Sequence, residues 1–140
     1  MKIAFNALFK LLLIILLFPC SKGFAQQKTD TTIENRVFSI VEIEASFPGG
    51  DSAWTKYIYN VLIVEAGNFK NSDVGTCRVR FIVDKTGHVS DVKALTMKRS
   101  RLAKVVVEAI ENGPKWNPAF QDGRFVNAFR EQPVTFAFSK

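Results

Sequence analysis

The 140 residues contain one histidine and two cysteines, and no unbroken apolar run exceeds the eight residues from Leu11 to Phe18. Each scarcity removes a class of function. A zinc centre needs three or four converging Cys, His or carboxylate ligands, and only scattered acids accompany His88 and Cys77, so no metal and no cofactor are expected. A membrane span takes roughly 20 apolar residues, which the run of eight does not supply. The Gly-x-x-x-x-Gly-Lys pattern that cradles phosphate is absent. With Cys20 in a leader, Cys77 stands alone and an intrachain disulfide is excluded.

The leader is residues 1–25. Lys2 and Lys10 precede the apolar run, Pro19 ends it, and Gly23 and Ala25 form a small-residue cleavage site. This predicts a secretory signal peptide cut after Ala25 and an exported mature protein. A retained membrane anchor and lipidation at Cys20 are the alternatives; Pro19 is a poor residue ahead of a lipidated cysteine. Removing the leader takes Lys2, Lys10 and Lys22 and no acid, so the formal charge drops from +6 to +3. The basic balance is thus largely a leader effect. Nucleic acid is not an expected partner, since no continuous basic face interleaved with aromatics remains. The cluster "KRSR" at 98–101 reads as a solvated loop.

Residues 26–36 read as a polar, flexible lead-in and 37–140 as one domain, with 13 phenylalanines in the whole chain to build its core. "RVFSIVEIEA" predicts a short strand. In "FPGGDSAW", Pro48 forbids helix behind it, the glycines permit a sharp turn, and Asp51 is placed as the N-cap of a helix with Trp54, Tyr57, Ile58, Val61 and Leu62 on its buried stripe. Residues 64–75 read as a loop. "TCRVRFIVDKTGHVSDVKAL" reads as a hairpin about a turn from Asp84 to Gly87, the return strand running from His88 to about Leu95 with Cys77 opposite Leu95. A second helix carries Leu102, Val105, Val106, Ala109 and Ile110, capped by Ser100 and stopped by Gly113 and Pro114. "RFVNAFREQPVTFAF" is a long closing strand, and Pro133, which has no N–H to donate, assigns it to a sheet edge. Strand, helix, hairpin, helix and long strand imply an α+β fold, two helices packed on one face of a small antiparallel sheet of about three strands.

Catalysis finds no constellation in these residues. His88 reads as an exposed turn residue, and the predicted hairpin puts Cys77 roughly 23 Å from it along the strands, too far for proton transfer. Glu42 and Glu44 read as two solvated charges on one strand. The chain is therefore expected not to be an enzyme and to take no small-molecule substrate.

The ordered set "FPGGDSAWTKYI", "GTCRVRFIVDKTGHVSDVKAL" and "PKWNPA" followed by a Gly turn and a Pro-containing last strand resembles the C-terminal domain of TonB, the periplasmic energy transducer of Gram-negative bacteria, over about residues 40–138. The resemblance implies that Trp116 plugs the core below the second helix, and Trp54 and Trp116 are expected to be buried on opposite sides of the helix layer. It also implies strand addition, in which a segment of an outer-membrane TonB-dependent receptor pairs with the exposed edge of the last strand, here Val134, Thr135, Phe136, Ala137 and Phe138. A homodimer through the same sheet edge is the second partner it allows. The residues carry neither the family's motor-engaging anchor nor its long Pro-rich spacer. A periplasmic adaptor that keeps the fold without energy transduction is accordingly the alternative to a receptor-binding module in energy-coupled transport.

Overall fold

The structure, a computed structural model, describes residues 35–138. The leader, Cys20 and residues 26–34 of the lead-in lie outside the described residues. Strand β1 (Val37–Phe38) is followed by helix α1 (Gly50–Glu65), the hairpin strands β2 (Gly75–Val83) and β3 (Val89–Ala94), helix α2 (Arg101–Glu111), and strands β4 (Ala119–Gln121) and β5 (Arg124–Phe136). The strand order is β1-β5-β2-β3, with β4 also paired to β5. The α+β class holds, but the sheet has five strands and is mixed, because β1 runs parallel to β5 at Asn127–Ala128. Of the short strand expected from "RVFSIVEIEA" only Val37 and Phe38 form β1; beyond them Ile43 and Ser46 make isolated bridges, to Phe120 and Asn117.

Alternation builds the core. Cys77, Val79, Phe81 and Val83 of β2 are fully buried, Val126, Ala128 and Val134 of β5 join them, and α2 covers them with Leu102, Ala103, Val105, Val106, Ala109 and Ile110. Ser100 caps α2, its Oγ accepting from Ala103 N. Helix α1 is tied to α2 where Tyr57 Oη donates to Ala109 O at 2.8 Å.

The "FPGG" segment is a type II turn. Gly50 N donates to Phe47 O at 2.8 Å and Gly49 adopts φ 86°, ψ 6°, the left-handed third position of that turn. The N-cap of α1 is therefore Gly49, and Asp51 sits inside the first turn without capping. There its charge still favours the positive end of the helix dipole. The turn delivers Phe47 into an aromatic cluster, its ring 5.5 Å from Trp54 and 5.6 Å from Trp116. Both tryptophans are buried as expected, but they touch at 5.6 Å rather than lying on opposite sides of the helices, because Trp116 rests on Phe81 of the sheet at 4.9 Å.

Three further expectations are corrected. The 64–75 stretch is not plain loop: α1 continues to Glu65, and 3-10 turns follow at Ala66–Asn68 and Asn71–Asp73. The hairpin turn forms as expected, with Gly87 at φ 85°, but the β2–β3 register slips by one residue between Arg80 and Ile82. Asp91, at φ 52°, absorbs the extra residue, so Leu95 N bonds to Arg78 O instead of facing Cys77. Strand β4 was not expected; it forms because Asp122 and Gly123, at φ 49° and 76°, make a two-residue hairpin turn of the kind that matches strand twist.

Candidate functional site: the open flank of the last strand

Strand β5 has two flanks. On one it pairs with β2 from Gly75↔Phe136 to Val83↔Ala128 and with β4 from Ala119↔Val126 to Gln121↔Arg124. Which residues bond there follows from the other side of β2. Leu95 N donates to Arg78 O, Arg78 N donates to Thr96 Oγ1, and Thr96 Oγ1 donates to Thr76 O, so Thr76 and Arg78 turn their backbone groups toward β3. Backbone direction alternates along a strand. Cys77 and Val79 therefore bond to β5, through Val134 and Gln132, while Glu131, Pro133 and Thr135 aim their backbone groups at the opposite flank. Among the described residues that flank carries only β1, at Asn127–Ala128. From Glu131 onward its outward backbone groups have no strand partner among the described residues.

Of the five residues singled out from the sequence, only Thr135 lies within β5 with its backbone outward. Val134 is buried and bonds inward, as Phe136 does opposite Gly75; Ala137 and Phe138 follow the end of the strand, the Phe138 and Phe136 rings meeting edge-on at 5.3 Å. Phe129, Glu131 and Pro133 were missed; they share the outward direction of Thr135, which the β2 register fixes. Pro133 presents a carbonyl but no donor to the flank, which discourages indiscriminate pairing.

The solvent face of the strand is organised by β2. The Arg80 guanidinium sits 5.2 Å over the Phe129 ring, Arg78 pairs with Glu131 at 2.9 Å, and the hydroxyls of Thr76 and Thr135 meet at 2.8 Å. On the helix face the row is Arg130, Gln132, Val134 and Phe136. Burial draws the Arg130 guanidinium below its ordinary range, and Glu44 pairs with it. The sheet's other edge, the outer side of β3, is shorter, bulged at Asp91 and charged by the Asp91–Lys93 pair, features that blunt an edge.

A family model describing the Gram-negative bacterial TonB protein C-terminal matches residues 58–138, more than half of the chain. The chain belongs to the TonB C-terminal family. No curated protein and no solved structure was found to match it. TonB C-terminal domains are interaction and energy-transduction modules, and members of the family interact with outer-membrane receptors. The remaining chemistry-bearing residues of this TonB-like domain do not converge. His88 flanks the hairpin turn, where Asp84 Oδ1 accepts from Thr86 N and His88 N. Cys77 lies at the far end of β2, its Sγ donating to Thr96 O, and burial pushes its thiol up, away from nucleophilic use. Among the described residues no helix is long and apolar enough to cross a membrane and no cluster of three or more His, Cys, Asp or Glu could hold a metal.

Proposed function

We propose that this protein is an exported, periplasmic TonB-like module that docks an extended segment of an outer-membrane receptor on the open flank of β5, by strand addition, in energy-coupled nutrient uptake. The leader leaves after Ala25 and the domain acts in the periplasm. One observation carries the reading: a 13-residue strand whose outward backbone groups from Glu131 to Thr135 have no strand partner among the described residues. Added backbone bonds give such a complex affinity, and the alternating side chains give it selectivity. A second copy could use the same flank, so a homodimer would compete with the receptor.

The test is retention of receptors from outer-membrane extract by the exported protein and its variants. Thr135→Pro removes an outward donor while leaving the β2 ladder intact, and Thr135→Ser keeps the donor. With circular dichroism establishing that each variant is folded, Thr135→Ser should retain receptor like the parent, and Thr135→Pro should lose about tenfold, the scale of one backbone bond. Ala137→Pro, beyond the end of β5, reports how far docking extends. Equal retention by parent and folded Thr135→Pro would remove strand addition and leave the adaptor that keeps the fold without a receptor.

A further inference from the structure

Arg130 is anomalous among the polar residues of β5. It points to the helix face opposite Phe81, its side chain is only 21% exposed, and its one carboxylate partner, Glu44, is 69% exposed and meets it through Nη1. Its Nε is buried without any hydrogen-bond partner. An unused buried donor is costly, and a guanidinium has a further edge, Nε with an Nη, that takes a carboxylate through two parallel bonds. That edge is idle here. Beside it a cavity of about 350 Å³ opens along the docking flank, lined by Ser39, Glu44, Arg80, Phe129, Arg130 and Glu131. Arg80 has no carboxylate partner among the described residues; it is stacked on Phe129. The cavity is thus lined by two guanidiniums and two carboxylates, of which Glu131 is already engaged by Arg78.

Glu44 itself is weakly held. It sits between the isolated bridges of Ile43 and Ser46, outside any ladder, and an ion pair with so exposed a partner contributes little. We propose that Glu44 is an internal stand-in for a carboxylate that the docked segment brings to Arg130, so that the stretch between the Ile43 and Ser46 bridges competes with the segment for this guanidinium. The inference rests on the strand-addition reading and adds the chemistry of the segment: an Asp or Glu side chain on the residue that comes to lie beside Arg130, with Glu44 swinging into solvent as it arrives.

The test uses the purified exported chain and a positional-scanning library of capped nine-residue peptides, each position fixed in turn as Glu or Gln. The parent should favour Glu over Gln at one position. Glu44→Gln, an exposed change that leaves the fold alone, should raise affinity for the Glu-fixed peptides by about three- to tenfold, the scale of a hydrogen bond to a charged group, and leave the Gln-fixed ones unchanged. Arg130→Met should abolish the preference; if it fails to fold, Arg130→Lys, which keeps the charge and loses the fork, should weaken it. Peptides that bind with no Glu preference, or a Glu44→Gln effect equal on both sets, would overturn this inference and leave strand addition standing. No binding by any peptide would overturn both.

Discussion

Gly87 and Gly123 both adopt left-handed backbone, at φ 85° and 76°, yet replacing each with alanine should have very different consequences. At Gly123 an added Cβ meets nothing within 4 Å, whereas at Gly87 it would lie 2.2 Å from the carbonyl oxygen of Trp116. Both substitutions incur the left-handed penalty of an L-residue, about 1 kcal/mol. Only Gly87→Ala must also separate two backbones, breaking the bond from Trp116 N to Gly87 O at 2.9 Å, worth about 1 kcal/mol, and displacing a tryptophan packed among Phe47, Trp54 and Phe81. Gly123→Ala should therefore cost about 1 kcal/mol and Gly87→Ala about 3 kcal/mol or more. For a domain near 100 residues each kcal/mol moves Tm by about 4–8 °C, so thermal melts followed by circular dichroism should separate the two variants by about 8–16 °C. Equal shifts would refute the close approach of the hairpin turn to Trp116, and with it the account of how "DKTG" and "PKWNPA" are joined.

Trp116→Ala should cost about 3–5 kcal/mol, enough to unfold a domain of ordinary stability; a Tm within two degrees of the parent would contradict its place in the core. Asp73 is buried and accepts from Lys70 N at 2.9 Å and from Arg101 N, at the start of α2, at 2.7 Å. These backbone bonds, led by that from Lys70, outweigh burial and hold its carboxyl below the ordinary value of 3.8. A depressed folded-state value means stability that is present above about pH 4 and lost as pH falls through the folded-state value, so Asp73→Asn should lower Tm at pH 7 and flatten the acid limb of the stability curve. An acid limb identical to the parent's would show that the carboxylate does not anchor α2. Val134→Pro, unlike Thr135→Pro, deletes a donor to β2 and should unfold the protein, read as loss of the cooperative melt; a folded Val134→Pro would invert the flank assignment.

Local chemistry foretold what local chemistry controls. Ser100, the 3.6-residue spacing of α2, the alternation of Cys77, Val79, Phe81 and Val83, and the "DKTG" turn all form where their residues place them. The differences arise where a distant partner decides. Three residues, Ala119 to Gln121, are too short to announce a strand, and β4 exists because a two-residue turn folds it onto β5. Nothing in Val37 or Phe38 foretells a parallel partner 90 residues away. Asp91 entered the return strand as an ordinary residue, but the bulge there shifts the whole register. Pro133 gave the right reason to suspect an edge, yet the residues that turn outward could not be told from those that turn inward until the β2 register was known. Glu44 read as a solvated charge; its pairing with Arg130 across 86 residues has no signal in a single sequence.

Amide hydrogen exchange along β5 tests strand addition most directly. In the free protein Glu131 and Thr135 should exchange fast and Gln132 and Val134 slowly. Addition of the tightest-binding nine-residue peptide should protect Glu131 and Thr135 selectively, leaving the inward amides as they were. Fast exchange at Glu131 and Thr135 with peptide bound, or protection of both amides before any peptide is added, would contradict the claim that this flank is open and is where the partner strand adds.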